Sequence, residues 1–136
     1  MSILIDTSIW VDLLGKARRY RITADQLPEV ATCPPIIQEV LQGVKDEKVR
    51  ERLKDRFLAL TCVGDPTGLD LYLEAAELYA TGRRKGLTIR SSIDCLIAAI
   101  ALRGNLTVWH SDRDFEAISK FTSLKTHTGA TIEVSA

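Results

Sequence analysis

Acidic side chains follow two apolar segments that have the length of a buried strand. Asp6 comes directly after the apolar residues 3–5, and Asp112 and Asp114 come shortly after the apolar residues 106–109. In an open parallel sheet, ligands bind beyond the carboxyl ends of the strands. The three carboxylates are therefore expected at one edge of a sheet, where they are placed to bind a ligand or a cation.

Two further acids lie in predicted helices that border this sheet. Asp94 belongs to the most apolar helix of the chain, and Ala98 and Ala101 lie on the same side of that helix. A carboxylate in such surroundings is partly buried, and a buried charge needs a partner. Glu39 lies at the edge of an apolar stripe, with Gly43 one turn further on. We interpret that glycine as leaving space for a substrate groove.

Convergence of these carboxylates would make full ionisation unfavourable unless a cation were bound. Mg²⁺ prefers oxygen ligands and is bound by one or a few carboxylates, and Mn²⁺ has similar preferences. No cluster of histidines or cysteines offers a competing metal site. His110 stands close to the acidic loop, where it is a candidate for contact with substrate, and His127 is expected at the surface. The pattern therefore predicts a magnesium or manganese site.

Helix capping is the alternative explanation of the same acids. Asp6 has the position of a helix N-cap, while Asp94 and Asp114 each stand three residues after a serine, which is the spacing of a capping box. Glu39 is then a surface residue. On this interpretation the chain is a non-catalytic α/β binding module whose basic patches contact a protein or RNA partner.

The elements that must position these acids alternate between strands and helices. Strands are predicted at 3–5, 30–33 and 106–109, with short strands around Leu124 and Ile132. Helices are predicted over 9–14, from Pro34 to Val44, within 45–60, from Leu69 to about Gly82, over 92–102 and from Ser111 onward. This alternation predicts a three-layer α/β/α domain spanning residues 1–136, with a mainly parallel central sheet.

Composition places the chain among ordinary globular proteins. It has 136 residues, of which 46% are hydrophobic and 26% charged, and its formal net charge is zero. No apolar run approaches the roughly 20 residues that cross a bilayer, and the N-terminus lacks the pattern of a signal peptide. The three cysteines form no C-x-x-C pair, which argues against disulfides and zinc and favours buried, inert thiols. A cytoplasmic location is therefore expected.

Four acidic motifs, in this order and at this spacing, resemble the PIN-domain ribonucleases, and among them the VapC-type toxins. The matching segments, which span most of the chain, are ILIDTSIWVDLL at 3–14, QEVLQG at 38–43, RKG at 84–86, IRSSIDCLIAA at 89–99 and SDRDF at 111–115.

The resemblance implies a catalytic quartet of carboxylates together with a supporting hydroxyl group. The quartet is Asp6, Glu39, Asp94 and Asp112, with Asp114 as a possible fifth acid and metal ligand, and Ser8 is the supporting residue. It further implies an endoribonuclease toxin, a homodimer, and an antitoxin whose C-terminal segment covers the active-site groove.

On this hypothesis the reaction is metal-assisted hydrolysis of an RNA phosphodiester bond. A Mg²⁺ ion, for which Mn²⁺ substitutes, is held by Asp6, Asp94 and an acid of the 112–114 loop, binds the scissile phosphate and lowers the pKa of a water. Glu39 binds a second cation or orients that water, and the products carry a 5′-phosphate and a 3′-hydroxyl. Basic residues that are expected to hold the RNA strand are Arg84, Lys85 and Arg90, with His110 as a further candidate.

Overall fold

A parallel sheet forms the centre of the fold in a computed structural model of the chain, which describes residues 2–132. Its five strands are β1 (Ile3–Ile5), β2 (Val30–Thr32), β3 (Thr61–Cys62), β4 (Thr107–Trp109) and β5 (Lys125–His127). The helices in the described residues are α1 (Thr7–Leu14), α2 (Pro34–Gln42), α3 (Glu47–Leu58), α4 (Leu69–Arg84), α5 (Ser92–Gly104) and α6 (Arg113–Ser119), with a 3-10 helix at Ala24–Glu29.

The order of the strands places the end of β1 at the middle of the sheet. The order is β3-β2-β1-β4-β5, and every neighbouring pair is parallel. Ile3 is paired with Val30 on one side and with Thr107 on the other. The winding of the chain reverses between β1 and β4, and such a switch point is where open α/β sheets bind ligands. The predicted parallel α/β architecture is therefore confirmed.

Both faces of β1 are covered, which explains why its sequence is apolar without alternation. Leu4 packs into a core with residues of α2 to α6. Ile3 and Ile5 point to the opposite face, where they pack with Ile9 of α1 and Trp109 of β4. The sheet is thus rigidly held just where Asp6 leaves it.

The helices begin where local chemistry predicts. Pro34 opens α2, and its fixed φ and missing N–H suit the first helical position. Ser91 caps α5 by accepting a hydrogen bond from the Asp94 amide, and Asn105 ends this helix in the left-handed conformation with φ 53°. The segment 94–101 is buried throughout, so the prediction of a central, buried helix is confirmed.

Three details differ from the sequence prediction. The last helix begins at Arg113 with Asp112 as its N-cap, because the Asp112 carboxylate rather than Ser111 accepts the Asp114 amide. The two-residue strand β3 was not predicted. Ile132 itself is buried and lies outside the described strands, and the rest of the strand predicted around it falls on residues 133–136, outside the described residues.

The three cysteine thiols are free, and Cys33 and Cys95 are buried as predicted, whereas Cys62 is half-buried. Burial raises the pKa of the Cys33 thiol to about 12 and that of Cys95 to about 11, so both stay protonated. Among residues 2–132, no helix combines the length and the apolar character required to cross a membrane.

Candidate metal centre

Asp6 is both the N-cap of α1 and the start of an acidic site. Its Oδ2 atom accepts hydrogen bonds from the Ser8 amide at 3.1 Å and from the Ser8 hydroxyl at 2.6 Å. The Asp6 amide donates to the Trp109 carbonyl at 2.9 Å, which ties the ends of β1 and β4 together. The capping interpretation of Asp6 is correct, and it does not exclude a second role for this carboxylate.

Ser8 joins the first acid to the loop that carries the last ones. While its hydroxyl group donates to Asp6, its Oγ atom accepts the amide of Ser111 at 3.1 Å. Asp112 follows in this loop, and its Oδ1 atom accepts the Asp114 amide at 2.9 Å. Ser8 therefore links the Asp6 carboxylate to the backbone of the loop that carries Asp112 and Asp114.

Three carboxylates converge next to this loop. One oxygen from each of Asp94, Asp112 and Asp114 lies within 4.8 Å of the others. Asp94 is 5% exposed, and its Oδ2 atom is buried without a hydrogen-bond partner among the described residues. An unpaired buried oxygen of this kind is costly unless a proton or a cation meets it.

Asp114 differs from the other two because backbone amides already satisfy it. Its Oδ2 atom accepts a hydrogen bond from the Ser91 amide at 2.9 Å, and its Oδ1 atom accepts one from the Arg90 amide at 3.1 Å. Asp114 therefore fixes the segment that leads into α5, and with it the position of Asp94.

The carboxylates raise one another's proton affinity. Burial, reinforced by the negative charges of Asp112 and Asp6, raises the pKa of Asp94 to about 9. Burial also raises the pKa of Asp6, against the hydrogen bonds from Ser8. For Glu39, burial and then the charges of Asp6 and Asp112 raise the pKa, although a hydrogen bond from Thr7 opposes them. A metal-free cluster would hold protons that a cation would displace.

The donor set fits a hard divalent cation. All three converging ligands offer carboxylate oxygen, which is the chemistry of Mg²⁺ and Mn²⁺ sites rather than of zinc. Asp12 provides a contrast, since this buried acid is paired with Arg19 at 2.9 Å and with the Tyr20 amide at 3.1 Å. The Oδ2 atom of Asp94 lacks such a partner among the described residues, so this free oxygen points to a cation.

Asp6 and Glu39 stand beside the converging group rather than within it. Glu39 is half-buried on α2, and its Oε1 atom accepts the Thr7 hydroxyl at 2.9 Å. Thr7 was missed by the sequence analysis, although a hydroxyl residue directly after Asp6 could have indicated it. Gly43 is exposed, and a Cβ there would make only an ordinary contact, 3.5 Å from the Val40 carbonyl. The interpretation of this glycine as a space for substrate therefore stays a prediction.

The two histidines occupy positions other than those expected. His110 is 1% exposed, so the suggested contact with RNA is wrong for the structure as it stands. His127 is half-buried rather than on the open surface, with Nε2 at 2.6 Å from the Thr131 carbonyl and its ring edge-on to Trp109.

The basic residues separate into anchored and free side chains. Arg84 contacts Glu77 at 3.3 Å and the Thr81 hydroxyl at 3.0 Å, and Lys85 follows it at the exposed end of α4. Arg90 instead lines a cleft of about 510 Å³ whose wall also includes Arg113, Lys120 and Asp114.

This cleft, the Arg90–Lys120 cleft, adjoins the acidic cluster because Asp114 belongs to both. Its three cations have no ion-pair partner within residues 2–132. Arg113 and Lys120 were missed by the sequence analysis, since neither belongs to a run of basic residues.

Comparison with known proteins agrees with the resemblance seen in the sequence. The family model described as PIN domain matches residues 3–121. VapC ribonuclease Mb1587 of Mycobacterium bovis and ribonuclease VapC11 of Mycobacterium tuberculosis are each 34% identical to this chain over 129 residues, covering 90% of it and 96% of the relative.

A solved structure extends the likeness of the fold. VapBC2 from Rickettsia felis, bound to a DNA fragment from its promoter, contains a chain that is 18% identical with a TM-score of 0.69. The alignment covers 98% of this chain and 100% of that one.

Proposed function

The chain belongs to the PIN domain family, and we propose that it is a divalent-metal-dependent endoribonuclease that acts as the toxin of a toxin–antitoxin pair. The observation that carries this proposal is the buried, unpaired Oδ2 atom of Asp94 beside the carboxylates of Asp112 and Asp114. Similarity to proteins named as VapC ribonucleases over nine-tenths of the chain supports RNA as the substrate.

The carboxylates take different parts in the proposed site. A bound Mg²⁺ or Mn²⁺ would lower the pKa of a water and offset charge on the scissile phosphate. Asp94 would hold the cation through its free oxygen, and Asp112 through Oδ2, since its Oδ1 atom already accepts the Asp114 amide. Asp6 would add negative charge at the end of β1. Asp114, with its backbone partners, would serve mainly to hold the site together.

Glu39 has the remaining role of the quartet. Its carboxylate is more exposed than that of Asp94 and is oriented by the Thr7 hydroxyl. We assign it to orienting the attacking water or to a second cation. The proposed hydrolysis leaves a 5′-phosphate and a 3′-hydroxyl.

The alternative of a capping-only binding module is weakened by Asp94. Asp6 and Asp112 do cap helices, as that alternative requires. The side chain of Ser91, however, is the cap of α5, so the Asp94 carboxylate is left without a capping role. A buried acid that no structural partner satisfies favours a site for a cation.

Cleavage of RNA by the isolated chain tests the proposal. The purified protein, freed of antitoxin, is incubated with structured and single-stranded RNAs in Mg²⁺ or Mn²⁺, and in EDTA. We expect cleavage with either cation, products that carry 5′-phosphates, and no cleavage in EDTA. Cleavage that persists in EDTA would contradict the metal-dependent mechanism.

The Arg90–Lys120 cleft is the proposed path of the RNA backbone away from the metal site. Arg113→Ala should weaken RNA binding at low salt and reduce the slope of log K against log salt by about one. Mn²⁺ affinity should stay at its wild-type value, because Arg113 is outside the carboxylate cluster. Filter binding across a salt series measures the slope, and calorimetry measures the Mn²⁺ affinity.

Arg52→Ala is the matched control for that series. Arg52 is an exposed arginine of α3 without an ion-pair partner in the described chain. An equal loss of RNA affinity in both variants would argue against the cleft. Arg84 and Lys85 remain proposed contacts with the RNA, although the contacts of Arg84 with Glu77 and Thr81 predict a smaller effect for Arg84→Ala.

We also propose a cognate antitoxin that covers the active-site groove, and a homodimer. A solved structure of the same fold, from Mycobacterium tuberculosis, is described as a member of the VapBC family of toxin-antitoxin systems, which supports the first part. For the second, the apolar residues Ile36, Val40 and Phe57 of α2 and α3 are buried in the core. These three apolar residues are therefore not available to a dimer interface.

The exposed apolar side chains gather on α4 and at the start of α5, where they include Leu69, Tyr72, Leu73, Tyr79 and Ile93. Leu73→Glu should convert the dimer to a monomer, because a twofold contact of about 800 Å² per partner would bury two of the new charges. Light scattering at micromolar concentration measures the mass.

Leu58→Glu is the control for the dimer prediction, since Leu58 at the end of α3 is 71% exposed and Leu73 is 62% exposed. It should leave the mass unchanged. A wild-type chain that is monomeric under these conditions would refute the dimer.

A further inference from the structure

The His110 ring lies buried directly behind the acidic loop. His110 follows β4, and its amide donates to the His127 carbonyl at 3.0 Å. The ring packs against Phe115 with centroids 5.1 Å apart, and the residue is 1% exposed. A buried imidazole requires a partner for each nitrogen, and the identity of these partners shows what the ring does.

Both ring nitrogens have partners, and the partners fix the tautomer. The backbone amide of Asp112 lies 3.0 Å from Nδ1. Because an amide can only donate, Nδ1 must accept, and the proton of the neutral ring therefore resides on Nε2. Nε2 lies 2.9 Å from Oε1 of Glu116, to which it donates. The ring is thus held between the Asp112 backbone and a carboxylate of α6.

The backbone amides of Ser111 and Asp112, two consecutive residues of the acidic loop, each donate to a side chain as a consequence. The Ser8 hydroxyl oxygen accepts the Ser111 amide, and the His110 ring accepts the Asp112 amide. The Oδ1 atom of Asp112 is then occupied by the Asp114 amide. With its backbone and one carboxylate oxygen fixed, the remaining oxygen of Asp112 has little freedom of direction.

We propose that His110 is a positioning residue, which holds the Asp112 backbone so that the Asp112 carboxylate faces Asp94 at the metal site. The inference deepens the proposed function and rests on it. Removing the group that orients a metal ligand typically weakens metal affinity or activity about 10–100-fold. His110 would therefore affect metal binding and turnover without touching the cation or the RNA.

Two substitutions of the ring separate its two hydrogen bonds. His110→Asn keeps an acceptor at the position of Nδ1 and loses the contact with Glu116. His110→Gln keeps a donor at the position of Nε2 and loses the acceptor for the Asp112 amide. Both variants lose the packing against Phe115, so a general loss of stability affects them alike and cannot produce a difference between them.

We expect His110→Gln, which loses the acceptor for the Asp112 amide, to raise the Kd for Mn²⁺ by about tenfold or more, and His110→Asn, which loses only the contact with Glu116, to raise it by about threefold. At limiting Mn²⁺, kcat should fall further in His110→Gln than in His110→Asn, while KM for RNA stays constant in both. Hydrogen exchange at the Asp112 amide, followed by NMR, should accelerate in His110→Gln only. Calorimetry with Mn²⁺ alone supplies a measurement that is independent of activity.

A pair of surface variants tests the same inference if the ring variants do not fold. Glu116→Ala removes the acceptor of Nε2 and should raise the Kd for Mn²⁺ by about threefold or more, whereas Glu116→Gln keeps an acceptor oxygen and should not. Equal Mn²⁺ affinity within each pair would overturn the positioning role. If the wild-type chain neither bound Mn²⁺ nor cleaved RNA, the proposed function would be refuted together with the inference. If the wild type were active and the two variants of each pair had equal Mn²⁺ affinity, only the inference about His110 would be refuted.

Discussion

Asp6→Asn and Asp94→Asn should each lower metal-dependent RNA cleavage by at least about 100-fold, since a cation supplies several kcal/mol of charge stabilisation in reactions of this class. Each substitution changes little in volume and removes one negative charge. Asn remains a good N-cap, so Asp6→Asn should preserve the start of α1. Cleavage rates in Mn²⁺, measured on variants with native circular dichroism spectra, give the result.

Asp46→Asn is the matched control for these rates. Asp46 caps α3 by accepting the amides of Lys48 and Val49, as Asp6 caps α1, but it is not part of the acidic cluster. It should cleave RNA at the wild-type rate. If Asp94→Asn cleaved the same RNA as fast as wild type, the assignment of the site would be wrong. The interpretation of these acids as helix caps alone would then be favoured.

The order of the acids along the chain was predictable because it follows from local patterns. A strand covered on both faces is apolar without alternation, and β1 shows this in only three residues before Asp6. Likewise, α5 is apolar nearly all round because it is buried against both the sheet and α4, so a carboxylate in its first turn stands out. Such features depend on the burial of a single segment.

The division of labour within the 112–114 loop was not predictable in the same way. Asp112 and Asp114 both stand at the start of the last helix, and the helical pattern of the sequence does not show which of them stays free. Only the tertiary contact of Asp114 with the Arg90 and Ser91 amides, from a segment more than 20 residues earlier, satisfies one of them and leaves the other with a free oxygen. The periodicity of apolar residues along the sequence contains no information about such a contact between distant segments.

His110 and the Arg90–Lys120 cleft show the same limit. The sequence places His110 beside an acidic loop, but its burial depends on Phe115 and on pairing of β4 with β5. Arg113 and Lys120 are separated in sequence by most of α6, so that charge counting along the chain does not group them. Helix geometry and the packing of α6 bring them to one cleft with Arg90.

Mn²⁺ should stabilise the fold, and it should do so more strongly at about pH 8 than at about pH 6. In the metal-free chain the Asp94 carboxyl has a pKa of about 9 against its ordinary 3.8. The folded state therefore binds more protons than the unfolded chain between those values, so the free energy of unfolding falls as pH rises through this window. Mn²⁺ requires the ionised carboxylate, so its affinity rises over the same window.

The expected gain in the free energy of unfolding follows from mass action. At a free Mn²⁺ concentration of about 100 times Kd, the gain is about 2.7 kcal/mol, which corresponds to roughly 10 °C in Tm for a domain of this size. Differential scanning fluorimetry in EDTA and in millimolar Mn²⁺ measures it at both pH values. The increase in Tm should be larger at the higher pH, where a proton competes less strongly with the cation.

Asp94→Asn supplies the decisive comparison, because it removes both the titrating group and the ligand oxygen. Without metal at about pH 8 it should unfold at a higher temperature than wild type, since the folded state no longer has to keep protonated a buried acid that is ionised in the unfolded chain. With Mn²⁺ its Tm should rise by much less. Asp46→Asn should keep the wild-type response to both pH and Mn²⁺. An unchanged wild-type melting curve in millimolar Mn²⁺, or an Asp94→Asn curve that rises as far as that of wild type, would show that the carboxylates of Asp94, Asp112 and Asp114 do not hold a cation.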